Sequence, residues 1–158
     1  MRVGHGFDAH RLVEGRRFVL GGVEIPAPVG PLGHSDGDVL AHAIADALLG
    51  AVGMGDLGTR FPSADERWRD ADSMELLEQC AGDVRAAGWA IINIDATVVV
   101  ERPRLAPYLD AMRVGIGERL RIPPACVSVK AKTSDGMGYT GDGTGIAAYA
   151  VASLEKGT

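Results

Sequence analysis

Cysteine, large aromatics, long apolar runs and basic clusters are all scarce in this chain, and each shortage excludes something. The two cysteines, Cys80 and Cys126, are far apart in 158 residues and belong to no CxxC pair. That rules out a disulfide framework and a cysteine-ligated zinc cluster, and suggests reduced, buried thiols in a cytoplasmic protein. No apolar stretch reaches bilayer-spanning length and "MRVGHGF" lacks a signal core, so no membrane partner is expected. Aromatics make up 5% of the residues, so small aliphatic side chains must build the core. Lys and Arg number 16 against 21 acidic residues, a net charge of −5 with no basic run, which argues against nucleic-acid binding. An anionic small molecule stays open, because a metal or a cluster of backbone N–H groups can override net charge locally.

Glycine, by contrast, is abundant at 22 residues, pointing to tight turns and close backbone approaches. The length fits one domain over residues 1–158. "RVGHGFDAH" alternates as a first strand, and "RRFVLGGVEIP" predicts a hairpin turning at Gly21-Gly22. A Pro/Gly stretch leads into a helix over "HSDGDVLAHAIADALLGAVG", with Ser35 and Asp38 spaced as a capping box. "MGDLGTRFPSADERWRDAD" is broken and polar, predicting a long mobile loop. A second helix starts near Ser73, capped by Asp72, and stops at Gly88. The β-branched "AIINIDATVVVE" is a strand, and a third helix covers about Leu105 to Leu120. "CVSVKAKTS" and "GIAAYAVASL" are further strands around the glycine-rich "DGMGYTGDGTG". Interleaved strands and helices predict one α/β domain.

On a strand, residues two apart point the same way, so Asp8 and His10 can chelate one ion. His5 falls on the opposite side with Val3 and Phe7 and reads as a packed structural histidine. In the first helix Leu40, Ile44, Ala47, Leu48 and Ala51 form an apolar stripe, and Asp38, His42 and Asp46 lie opposite. That face is either solvated or, since it carries no Lys, Arg or Glu, a ligand face. Asp8, His10 and His42 together would suit zinc with a fourth position open, as catalytic sites require. Asp38 and Asp46 would then either orient His42 or simply be hydrated. "GMGYTG" matches GxGxxG as text, but no following helix or second βαβ half supports a dinucleotide site. It is either a hairpin connection or a phosphate nest with Thr133 and Ser134 as donors, beside Asp135, a hard oxygen ligand suited to magnesium.

Five blocks, "GHGFDAH", "HSDGDVLAHAIADALLGA", "GDLGTRFPSAD", "VKAKTSDGMGYTG" and "GIAAYAV", closely resemble the 2-C-methyl-D-erythritol 2,4-cyclodiphosphate synthase family, in order, from Arg2 to about Leu154. The resemblance implies an α+β sandwich with a mixed four-stranded sheet, helices on one face, and a homotrimer with active sites between subunits. It implies conversion of 4-diphosphocytidyl-2-C-methyl-D-erythritol 2-phosphate to the 2,4-cyclodiphosphate with release of CMP, in non-mevalonate isoprenoid (terpenoid) biosynthesis. It assigns Asp8, His10 and His42 to zinc or another divalent transition metal holding the diphosphate, and Asp135 to magnesium or manganese, where the family usually has Glu. His34 and Thr133 take the catalytic, transition-state-stabilising roles, and Ser35 lies beside the phosphate. Asp56 and Gly58 hold the methylerythritol portion, with Phe61, Pro62 and Asp65 in a flexible loop over it. Pro103, Arg104, Leu105 and Ala131, with Thr133, form the cytidine pocket, and Tyr139 is a further substrate contact. The family's "GRGEG" reads "GDGTG" here, so Asp142 replaces a cation. The residues alone also accommodate a zinc phosphohydrolase or a metal-stabilised module binding prenyl diphosphates.

Overall fold

The computed structural model describes residues 1–157. Its framework is a five-stranded sheet in the order β4(Val29–Pro31), β1(Arg2–Glu14), β7(Gly145–Lys156), β5(Trp89–Val99) and β6(Val127–Lys132). All pairs are antiparallel except β5 with β6, so the sheet is mixed. The expected four strands are present; the fifth, β4, is a three-residue edge within the Pro/Gly stretch, too short to carry an alternation signal. A separate hairpin pairs β2(Phe18–Leu20) with β3(Val23–Ile25), turning at Gly21 and Gly22 with φ of 55° and 75°. Both positive angles suit the tight turns that match strand twist.

Helix α1(Val39–Val52) lies directly on β1. A Cβ added at Gly4 would sit 1.8 Å from the Ala47 carbonyl oxygen, and one at Gly6 would sit 1.9 Å from that of Ala43. The two glycines of the opening motif therefore let helix backbone touch strand backbone. Ala148, Ala150 and Ala152 of β7 continue this small-residue floor and are buried. Helix α3(Ser73–Ala86) packs on α1, and α4(Leu109–Leu120) lies over β6 behind a 3₁₀ turn, Ala106–Tyr108. That turn shortens the predicted third helix, whose first residues include Pro107. Single turns α2(Leu57–Arg60) and α5(Gly138–Gly141) interrupt the predicted loop and the glycine-rich connection. The 54–72 segment is thus partly helical, with a second turn at Glu66–Trp68 and the Phe61 ring edge-on to Trp68 at 4.8 Å.

The opposite sheet face is open. Val3, Phe7, Ile92, Tyr149 and Val151 are exposed there, and Phe7 lies 5.0 Å from the Tyr149 ring. His5 shares this face, as parity requires, but it is exposed near Tyr149, not packed as a core histidine. No helix among the described residues is long and apolar enough to cross a membrane.

Candidate metal centre and active site

Because α1 descends onto Gly4 and Gly6, His42 arrives over the two polar side chains that follow on the same strand face. Asp8 Oδ2 lies 2.8 Å from His10 Nε2 and 2.8 Å from His42 Nδ1, and the two nitrogens are 3.2 Å apart. The remaining nitrogen of each ring is occupied. His10 Nδ1 donates to the Leu32 carbonyl at 2.6 Å, while His42 Nε2 lies 2.8 Å from Ser73 Oγ and 3.2 Å from Ser35 Oγ. Two imidazole nitrogens and one carboxylate oxygen thus converge on one point. Metal–ligand bonds near 2.0–2.2 Å in a tetrahedron separate ligand atoms by about 3.3 Å, so these edges need only slight expansion. The triad is the metal-competent group among the described residues, and its chemistry fits a divalent ion.

The side chains of Asp8, His10 and His42 keep 27%, 16% and 11% of their surface, leaving one side open to a ligand. Burial alone would raise the Asp8 pKa, but hydrogen bonds from His10 and His42 outweigh it and hold the carboxyl below its usual range. Burial would lower His10, yet the Asp8 hydrogen bond and charge raise it.

Asp38 and Asp46 do not orient His42. Asp38 is fully buried as the N-cap of α1, accepting from Gly21 N at 2.9 Å, Gly22 N at 2.8 Å and Ala41 N at 3.0 Å. Asp46 accepts from Leu57 N at 2.7 Å, tying α2 to α1. The groups that touch His42 from behind are Ser73 and Ser35, and Asp36 backs Ser73. Ser73 and Asp36 escaped sequence reasoning: a serine after a helix cap carries no signal linking it to a histidine 31 residues earlier.

Ser35 is buried and its hydroxyl is engaged internally, with Ser73 and Gly37 N. His34 Nε2 meets the Asp65 carbonyl at 3.2 Å, joining the α1 approach to the 54–72 segment. Asp56 caps α2 by accepting from Thr59 N, with Gly58 in that turn and Pro62 exposed beyond it. Pro103, Arg104, Leu105, Ala131 and Thr133 line one cleft of about 350 Å³. Asp135, exposed and left-handed at φ 52°, accepts from Thr133 Oγ1 at 3.3 Å and is not part of the triad. Tyr139 lines a cleft with Ala9, His10 and Arg11. Asp142 is turned into its own loop, accepting from Thr144 N and Oγ1.

A mixed α+β chain with a two-histidine, one-carboxylate group able to hold a metal, His10 of which also lines an open cleft, has the make-up of a metal-site enzyme. Comparison with known proteins sharpens that class. The YgbB family model matches residues 1–155. The 2-C-methyl-D-erythritol 2,4-cyclodiphosphate synthase of Syntrophomonas wolfei is 54% identical over 156 residues, 99% of each chain. That of Salinibacter ruber is 52% identical over 156 residues, again 99% of each. The bifunctional IspDF of Campylobacter jejuni superposes with a TM-score of 0.95 at 40% identity, over 98% of this chain and 42% of that one. A CDP-bound 2C-methyl-D-erythritol-2,4-cyclodiphosphate synthase gives 0.90 at 39% identity, over 98% and 100%. The chain belongs to the YgbB family.

Proposed function

We propose that this chain closes 4-diphosphocytidyl-2-C-methyl-D-erythritol 2-phosphate into 2-C-methyl-D-erythritol 2,4-cyclodiphosphate and releases CMP, a step of non-mevalonate isoprenoid biosynthesis. The observation that carries this reading is full-length kinship to synthases of that name, 54% over 99% of the chain, and the triad supplies chemistry to match. An oxygen of the 2-phosphate bonds to the β-phosphorus, the bond from that phosphorus to the bridging oxygen breaks, and the electron pair leaves with CMP. Nucleophile and electrophile belong to one molecule, so orientation is most of the task; well-placed intramolecular reactions gain about 7–11 kcal/mol from it. No protein nucleophile is needed.

Asp8, His10 and His42 would hold a divalent ion, zinc in this proposal, and Asp135 a magnesium or manganese ion. Such ions, when bound, offset repulsion between the phosphates and polarise the oxygens of the attacked one. The chain's own groups position the rest. Pro103, Arg104, Leu105 and Ala131 take the cytidine, and Thr133 and His34 stabilise charge developing on the phosphates. Asp56 and Gly58 hold the methylerythritol, covered by Phe61, Pro62 and Asp65, while Tyr139 contacts substrate beside His10. Ser35 borders the phosphate from the start of the α1 approach. The protein works as a single-domain, cytoplasmic homotrimer with sites between subunits. The exposed apolar face of Val3, Phe7, Tyr149 and Val151 supports that assembly.

His42→Ala tests the reading. The expected result is loss of bound zinc and of CMP release with the fold retained; full turnover in this variant contradicts it.

A further inference from the structure

We infer that Ser73 and Asp36 are positioning residues for the metal, a two-step relay that sets the His42 ring so that Nδ1, and not Nε2, is the nitrogen offered to a metal between Asp8 and His10. The inference rests on the triad reading and goes beyond it to groups that touch neither metal nor substrate.

Proton counting carries the argument. Asp36 Oδ1 lies 2.5 Å from Ser73 Oγ, and a carboxylate can only accept, so the single hydroxyl proton of Ser73 goes to Asp36. The remaining lone pairs of Ser73 Oγ then face His42 Nε2 at 2.8 Å and Ser35 Oγ at 3.1 Å. Both neighbours must donate to it. His42 therefore carries a hydrogen on Nε2, which makes Nδ1 the nitrogen that faces Asp8 Oδ2 at 2.8 Å and His10 Nε2 at 3.2 Å, where a bound metal would take its lone pair in place of the hydrogen bond to Asp8. Reversing the direction at any link would leave Asp36 facing a lone pair.

The carboxylate is itself immobilised. Its Oδ1 also accepts from Asp38 N at 3.1 Å, its Oδ2 accepts from Ser73 N at 3.2 Å, and its backbone N–H donates to Ala71 O at 3.1 Å. Ser73 is 1% exposed at the first turn of α3, so water does not compete for its hydroxyl. The two histidines are thus aligned by different devices: His10 by the Leu32 carbonyl, and His42 by a charge-backed hydroxyl on another helix. Hydrogen-bond partners behind a ligating histidine fix its tautomer and raise its donor strength, and their loss weakens metal binding by about 10- to 100-fold.

The test measures zinc affinity by competition with a chromophoric chelator, and the visible spectrum of the cobalt-substituted protein, for the full chain and three variants. Unfolding of the zinc-free forms reports the fold separately. Ser73→Ala should weaken zinc binding about 10- to 100-fold and shift the cobalt bands. Asp36→Asn, which cannot force the same proton direction, should weaken it as well, and Ser73→Thr, which keeps the hydroxyl, should restore it. Should Ser73→Ala fail to fold, Asp36→Asn and Ser73→Thr carry the same contrast. Unchanged zinc affinity and cobalt spectrum in Ser73→Ala and Asp36→Asn overturn the relay, as does an effect of Ser73→Ala alone. A wild-type chain that binds neither zinc nor cobalt fails at the triad instead, so the two failures are distinguishable.

Discussion

Adding one methyl group at Gly6 should damage both the fold and the metal centre, because both rest on the same backbone contact. The new Cβ would lie 1.9 Å from the Ala43 carbonyl oxygen and 2.7 Å from Ala47 N, and neither can swing aside as a side chain would. Restoring an ordinary 3.4 Å contact lifts α1 off β1 by about 1.5 Å. His42 precedes Ala43 on that helix, so its Nδ1 would retreat from 2.8 Å to roughly 4 Å from Asp8 Oδ2. Overpacking a core typically costs about 1–3 kcal/mol, and contact with rigid backbone places this case near 3. At about 2–4 °C per kcal/mol for a chain of this size, Tm of Gly6→Ala should fall by about 6–12 °C. Zinc affinity should fall with it, on the order of tenfold or more. Differential scanning calorimetry of the zinc-free protein and chelator competition measure the two effects. Gly82→Ala is the control: the residue is exposed inside α3 with nothing within 4 Å of the added atom, so better helix propensity should stabilise it by up to about 1 kcal/mol. A Gly6→Ala protein with unchanged Tm and zinc affinity would refute the claim that the opening glycines seat α1.

Other consequences can be checked in the same preparation. Asp38→Ala strands the buried N–H groups of Gly21 and Ala41 and frees the half-buried one of Gly22, and should cost about 3–5 kcal/mol in urea unfolding. Burial pushes the Cys80 thiol up to about 12, so at pH 8 iodoacetamide should label half-buried Cys126 and spare Cys80 until the chain unfolds, as peptide mass spectrometry will read. In chelator-treated protein the Asp8–His10 pair sets a pH window. Asp8 is depressed in the fold, so its contribution is present above 3.8 and lost as acid protonates it; His10 is raised, so its contribution is present below 6.5 and lost as pH climbs through its folded value. Stability of the zinc-free form should therefore peak between about 3.8 and 6.5, and zinc should move the optimum upward by replacing protons.

Local signals in the sequence reached far into this structure. Alternation in "RVGHGFDAH", the Gly-Gly hairpin, the Asp72 cap and the β-branched run before Pro103 each mark an element that forms where expected. Strand parity and helix spacing also brought Asp8, His10 and His42 to one point, because both are short-range periodicities. What failed was long-range. The face of α1 bearing Asp38 and Asp46 looked available to His42, but backbone N–H groups from Gly21, Gly22 and Leu57 claim those carboxylates. The true partners, Ser73 and Asp36, come from loop and helix ends that only tertiary packing unites. Parity places His5 on the face it occupies, yet in the single chain that face is uncovered, since parity says which residues share a side and not which side is covered. The β4 edge and the turns at Leu57–Arg60 and Gly138–Gly141 are three or four residues long, below the length at which a period can be read.

The most direct test of the account is phosphorus NMR of the products formed from 4-diphosphocytidyl-2-C-methyl-D-erythritol 2-phosphate with the zinc-loaded protein and magnesium. CMP and the eight-membered cyclic diphosphate should appear in equal amounts, with no free phosphate. Release of inorganic phosphate, or a linear product that has taken up water, would contradict it and mark the centre as a phosphohydrolase.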